Sequence, residues 1–195
     1  RRGWLKGSKM SDLFQAAGLE KGAPRPLADR LRPQQLADVV GQEQILGPEG
    51  TLSRMLRSGR LSSMILWGPP GCGKTTVARL IAEETELDFE QLSAIFSGVQ
   101  DLRKAFDRAK GRRAQGKGTL LFIDEIHRFN RAQQDSFLPH MEDGTITLVG
   151  ATTENPSFEL NAALLSRAVV LSFERLDEAS LERLLKRAEA EEGQA

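Results

Sequence analysis

Residues Gly68-Pro69-Pro70-Gly71-Cys72-Gly73-Lys74-Thr75 constrain the fold of this chain more than any other stretch. They follow a short apolar run, Met64-Ile65-Leu66-Trp67, and precede a helical pattern, Val77-Ala78-Arg79-Leu80-Ile81-Ala82. A G-x-x-x-x-G-K-T run between a strand and a helix is a phosphate-binding loop, in which backbone N–H groups must converge on a polyphosphate. Glycines at 68, 71 and 73 permit that tight path because they lack a Cβ. The helix that follows points its positive end at the phosphates. Lys74 supplies a mobile charge for the β and γ phosphates, and the Thr75 hydroxyl suits Mg²⁺. Gly68, Pro69, Pro70, Gly71, Cys72, Gly73, Lys74, Thr75 and Thr76 are therefore the expected nucleotide-binding residues, with ATP and Mg²⁺ as cofactors.

The chain has 195 residues, enough for one domain with a substantial core and a fragment of a second. Lys+Arg and Asp+Glu each total 27, so net charge is zero and any contact with nucleic acid must be local or belong to an assembly. The single cysteine, Cys72, can form no internal disulfide, which fits a reducing compartment. No apolar run approaches a membrane span and no secretory signal is visible. The expected location is cytoplasmic.

Residues 1–25 read as a flexible N-terminal segment, with Met10 a natural start and Ser11-Asp12-Leu13-Phe14 a short amphipathic patch. Gly22-Ala23-Pro24-Arg25-Pro26 reads as a linker, and residues 27–60 as a capping segment of short helices, one of them starting at Pro33. From Ser63 strand and helix patterns alternate. Strands are expected near 64–67, 88–93, 119–124, 145–151 and 168–173, and helices near 74–85, 98–111, 130–142, 160–166 and 177–192. Such alternation implies a parallel sheet covered on both faces. The run Thr119-Leu120-Leu121-Phe122-Ile123 is continuously apolar, as a strand buried on both faces should be. Arg112, Arg113 and Lys117 are expected in a solvated, glycine-containing connector, with a DNA contact as the alternative.

That apolar run ends in Asp124-Glu125. Asp124 can reach Mg²⁺ through water, and Glu125 can polarise the attacking water. His127 extends the pair to D-E-I-H, a pattern shared with superfamily 2 helicases; it is either a coupling residue or a satisfied polar group at a helix start. The run Thr145-Ile146-Thr147-Leu148-Val149-Gly150-Ala151-Thr152-Thr153 is a strand ending in hydroxyls. Beside the phosphate-loop strand, Thr153 could contact the γ-phosphate or the lytic water, with Thr152 and Asn155 as competitors. Ser166-Arg167 ends a helix before another apolar strand. Coming after the acidic pair and the hydroxyl strand, Arg167 has the position of an arginine finger that enters a neighbouring subunit's site. Ser93, at the end of the second strand, is a candidate for holding Glu125 away from the water.

The ordered set Gly68 to Thr75, Asp124-Glu125, Thr152-Thr153 and Ser166-Arg167 resembles AAA+ ATPases. Two longer strings narrow the resemblance: Asp124 to Asp135, continuing through Phe137-Leu138-Pro139-His140 to Glu142-Asp143-Gly144, and Gly150 to Asn161. Both are similar to the replication-associated recombination protein A family, relatives of the eukaryotic Werner-helicase-interacting protein. Pro26 to Pro33 and Asp38-Val39-Val40-Gly41-Gln42 resemble that family's leading segment, in which Val39, Val40 and Gly41 would lie against adenine. The resemblance implies a three-layer αβα P-loop fold with a parallel five-stranded sheet of order 5-1-4-3-2. It places the AAA+ core at 26–175 and the start of an incomplete helical lid at 176–195.

It also implies a DNA-dependent ATPase of the clamp-loader clade acting in replication-fork maintenance, recombination and repair. Expected partners are DNA forks, gaps or single-strand/double-strand junctions, further copies in a homo-tetramer, and single-stranded-DNA-binding protein, all at the nucleoid. An ATP-gated scaffold that recruits replication partners without remodelling DNA is the alternative, and a superfamily 2 helicase fragment a more distant one. The family's second sensor arginine and oligomerisation region would lie beyond Ala195, so the chain by itself is expected to bind nucleotide weakly and to assemble and hydrolyse poorly.

Overall fold

Five short runs pair as one parallel sheet: β1 Met64–Trp67, β2 Asp88–Ser93, β3 Thr119–Asp124, β4 Thr147–Thr152 and β5 Val169–Ser172. Their spatial order is β2-β3-β4-β1-β5, the expected three-layer arrangement. The computed structural model describes residues 30–193, and Pro33 onward forms one unit. The N-terminal segment 1–25 expected from sequence lies outside the described residues. Among the described residues no helix is long and apolar enough to cross a membrane.

Two short helices precede the first strand, others cross over between strands, and one follows the last. α1 is Glu43–Leu46, α2 Thr51–Ser58, α3 Lys74–Glu84 and α4 Val99–Ala114. α5 is Arg131–Asp135, α6 Leu138–Glu142, α7 Pro156–Glu159, α8 Ala162–Leu165 and α9 Glu178–Glu192. α4 buries Leu102, Ala105, Phe106 and Ala109, the i, i+3, i+4, i+7 stripe of a helix with one apolar face. Its start is fixed by Gly98 N–H donating to Asp101 Oδ2 at 2.8 Å. Adjacent residues of β1 feed opposite cores. Met64 and Leu66 pack with Val77, Ile81 and Phe122, whereas Ile65 packs with Phe106, Ile123 and Phe137. Full burial of each such side chain contributes about 1.5–3 kcal/mol, so both faces of the sheet hold the strands in register.

Three expectations need correction. The helix expected over 130–142 is two, α5 and α6, because Pro139 has no N–H to give the Asp135 carbonyl; the chain turns at Ser136-Phe137 and starts again at Leu138. The helix expected over 160–166 is preceded by α7, where Asn155 caps Ser157 N–H at 3.0 Å and Pro156 takes the first helical position. No helix begins at Pro33; the first turn after it is Leu36–Asp38. Smaller shifts follow local bonding. β4 starts at Thr147 because Thr145 and Ile146 close the preceding turn, their N–H groups donating to Asp143 Oδ1 at 2.8 Å and His140 O at 3.1 Å.

The basic connector is also corrected. Arg112 and Arg113 lie in the last turn of α4, and both are engaged within the fold. Arg112 pairs with Glu90 at 2.6 Å and Asp88 at 3.5 Å; Arg113 reaches Asp143 at 3.6 Å and Thr145 at 3.3 Å. Arg108 also pairs with Glu90. Burial pushes the Glu90 carboxyl up, but the hydrogen bonds from Arg108 and Arg112 outweigh it, and the group is held below its ordinary 4.5.

Candidate functional site

Parallel strands bring their C-terminal ends to one edge, and the loops leaving β1, β3 and β4 meet there. Pro70, Gly71 and Gly73 from the first loop, Lys74, Thr75 and Thr76 from α3, Asp124 at the end of β3, Glu125 after it, and Thr153 after β4 line one cleft of about 400 Å³. Register explains the meeting: Trp67 at the end of β1 stands beside Thr152, and Gly68 N–H donates to Thr152 O at 3.1 Å. Gly71 and Gly73 have φ of +75° and +96°, the left-handed region that residues with a Cβ avoid. Their conformation folds the loop over the start of α3.

Lys74 is nearly buried, and its ammonium donates to the carbonyls of Gly68 at 2.6 Å and Pro69 at 2.8 Å, with Cys72 Sγ at 3.7 Å. The charge is thus held inside the cradle by the loop it serves. Thr75 and Asp124 bring a hydroxyl and a carboxylate to the same cleft. These are hard oxygen donors, the kind Mg²⁺ takes while keeping several waters. Among the described residues no cluster of three His, Cys, Asp or Glu forms a fuller metal cage.

Glu125 is non-glycine yet has φ +54°, which costs about 1–2 kcal/mol for an L-residue. The turn Ile126–Arg128 follows at once, and Ile126 is fully buried over β4. A Cβ at Gly150 would lie 2.8 Å from Ile126 Cδ1, so only glycine lets this turn settle so closely on the strand. His127 Nε2 lies 3.3 Å from Glu125 Oε2, and its Nδ1 2.8 Å from Thr152 Oγ1. Glu125 therefore meets His127, and not Ser93 as the sequence suggested. Thr152 is wholly buried, which leaves Thr153 as the threonine that lines the cleft. Asn155 caps α7.

Sequence reasoning passed over Gln134. It is buried, donates to Phe129 O at 3.0 Å and Glu159 O at 3.2 Å, and accepts from Asn161 N–H at 2.8 Å. It ties the segment after β3 to the segment after β4, and so steadies the loops that carry Glu125 and Thr153. Nothing local marks a glutamine as buried.

Two groups of candidates do not join the cleft. Val39 and Val40 line a separate cleft of about 380 Å³ with Arg183, Lys186 and Arg187 of α9. Gly41 has φ +86° and packs where a Cβ would be 2.6 Å from Leu176 Cδ2. Arg167 lies at the opposite edge of the sheet: it precedes β5, whose Val169 pairs with Met64 at the start of β1. It borders a cleft with Ser62, Ser63 and Thr147, all at or before strand starts. Its Nε donates to Glu142 Oε1 at 2.6 Å and its Nη1 to Ala163 O at 3.0 Å. A further groove of about 660 Å³, between Leu36-Ala37, Leu46, Leu56 and Leu80, includes no residue of the phosphate loop or the acidic pair.

Residues 64–176 match the family described as ATPase family associated with various cellular activities (AAA). The chain is 54% identical over 164 residues to the Escherichia coli replication-associated recombination protein A, covering 84% of this chain and 37% of that protein. It is 50% identical over 162 residues to the Dictyostelium discoideum ATPase WRNIP1, covering 83% of this chain and 18% of that one. The chain thus spans well under half the length of these curated relatives. Among solved structures, the Thermotoga maritima RuvB Holliday junction branch migration motor superposes with a TM-score of 0.65 at 31% identity, covering 80% of this chain and 53% of that one. The phosphate loop, the acidic pair and the strand order therefore sit in one recognised frame, and the chain belongs to the AAA family of ATPases, within which it is similar to the replication-associated recombination protein A proteins.

Proposed function

We propose that this chain is the nucleotide-hydrolysing core of a DNA-dependent ATPase of the clamp-loader clade, acting in replication-fork maintenance, recombination and repair. The observation that carries the reading is the convergence of Lys74, Thr75, Asp124, Glu125 and Thr153 on one cleft at the C-terminal edge of the sheet. In this reading the loop N–H groups and Lys74 hold the β and γ phosphates. Thr75 and Asp124 would hold Mg²⁺, which when bound spreads the charge of the triphosphate. Glu125 accepts a proton from the water attacking the γ-phosphorus, and the bond to the β–γ bridging oxygen breaks, giving ADP and phosphate. Thr153 hydrogen-bonds the γ-phosphate or that water. Val39, Val40 and Gly41 face adenine, and residues 176–195 begin a lid.

Arg167 cannot serve its own cleft from the far edge of the sheet. β1 alone, four residues long, separates the edges by about 13 Å. Its role is therefore assigned in trans, at a seam between copies in a homo-oligomer such as a tetramer. The partners proposed are DNA forks, gaps or single-strand/double-strand junctions and single-stranded-DNA-binding protein, in the cytoplasm at the nucleoid. The names of the relatives support a setting in replication-associated recombination. The test is steady-state ATPase of the full-length protein with and without DNA junctions. Turnover that vanishes in Lys74→Ala and rises with junctions is expected; full turnover by Lys74→Ala would overturn the site assignment, and indifference to junctions would overturn the DNA link.

A further inference from the structure

Glu125 is joined to a chain of polar contacts that leads away from the cleft. His127 Nε2 approaches Glu125 Oε2 to 3.3 Å, a polar contact on one oxygen of the carboxylate. His127 Nδ1 is hydrogen-bonded to Thr152 Oγ1 at 2.8 Å, and the Thr152 hydroxyl also donates to Glu154 O at 3.2 Å. Thr152 Oγ1 in turn accepts from Glu154 N–H at 3.0 Å. The chain runs Glu154, Thr152, His127, Glu125, and it encloses Thr153, the cleft residue between its first two members. Its two inner members are shielded from water: the His127 side chain is 8% exposed and Thr152 is fully buried. The seating of Ile126 over Gly150 places His127 against β4.

We propose that His127 is a positioning residue. It fixes one oxygen of Glu125, leaves the other to the attacking water, and makes that geometry depend on the turn that carries Thr153. A shift of Thr153 toward a γ-phosphate pulls on the Thr152–Glu154 turn and so re-aims Glu125 through the ring. The inference rests on the reading of Glu125 as the water-activating group, and it adds a coupling of nucleotide sensing to water activation that neither motif contains. A merely structural histidine would affect folding, or nucleotide binding and turnover together. A positioning one affects turnover alone.

The test is ATPase of the full-length protein. His127→Phe keeps a flat ring and removes both polar contacts; kcat is expected to fall about 10–100-fold, with KM for ATP and Tm little changed. His127→Gln keeps a donor toward Glu125 and is expected to recover part of kcat. Thr152→Val lowers kcat less, and His127→Phe/Thr152→Val together is no worse than His127→Phe alone, as members of one chain require. Unchanged kcat in a folded His127→Phe, parallel loss of kcat and nucleotide affinity, or additive losses in the double variant would overturn the proposal. Glu125→Gln separates the two failures. If Glu125→Gln abolishes turnover while His127→Phe is silent, only the coupling is wrong; if Glu125→Gln is fully active, the reading of the cleft fails first.

Discussion

The two edges of the sheet are built by different physics. At the C-terminal edge, backbone and buried side chains position the chemistry: Lys74 is held by loop carbonyls, Ile126 by Gly150, and Gln134 by three backbone groups. At the N-terminal edge, arginines meet partly exposed acids: Arg167 on Glu142 and Arg113 on Asp143. Exposed pairs of that kind contribute about 0–1 kcal/mol each. One edge is a rigid half-site; the other offers a cation that a stronger anion can draw away. On the proposed reading, a chain with both carries each half of a catalytic seam on opposite sides of itself, and a second copy would join them.

The sharpest way to break this comparison is to mix variants of the full-length protein. Arg167→Ala alone is expected to lower kcat about 10³-fold, as an arginine finger in trans does, while nucleotide binding and Tm stay near the parent's. Mixed with Lys74→Ala subunits, it is expected to regain turnover, because some seams then pair an intact cradle with an intact arginine. No recovery in assembled mixtures would place Arg167 outside the reaction. Next in size is Gly150→Val, which drives methyl groups into buried Ile126 and Ile65; overpacking of this kind costs about 1–3 kcal/mol of stability, read as a lower Tm. A surface change at the other edge should leave Tm alone.

A smaller effect separates the buried pairs from the exposed ones. Glu90 is one-tenth exposed and its folded carboxyl titrates below 4.5, so its contribution is present above 4.5 and lost as pH falls through the lowered value. Glu90→Gln is expected to cost about 1 kcal/mol at neutral pH, and the gap between variant and parent should close in acid. An equal gap at all pH values would mean the loss is packing, not charge. The smallest effect is expected from Glu142→Gln, which frees Arg167: stability changes by at most about 0.5 kcal/mol, and the apparent affinity between copies rises slightly in a titration of ATPase against protein concentration.

The sequence was most legible where function is written in adjacent residues. Gly68 to Thr75 announces its own backbone, β1 and β3 fall where their apolar runs predict, and β2 falls where the strand–helix alternation predicts. Legibility failed where a partner is distant. His127 gives no local sign that its ring meets Thr152, 25 positions away, and Gly150 reads as an ordinary strand residue until Ile126 is seen to rest on it. The break at Ser136-Phe137 and the cap at Asn155-Pro156 carried readable signals, a proline inside a helical pattern and an Asn-Pro start, which the wider periodicity overrode. Arg112 and Arg113 read as solvated because their acids lie on β2 and beyond α6.

Gln42 has a consequence for motion. Its amide is buried and copies a strand neighbour, donating to Glu174 O at 2.8 Å and accepting from Glu174 N–H at 3.0 Å, across 132 residues of chain. This rivet fastens the stretch before α1 to the lever that leads into α9. If that helix swings between nucleotide states, the stretch holding Val39 and Val40 must travel with it. The pivot then falls in the few residues after Phe173, and opening the proposed base-recognition wall and tilting the lever become one movement.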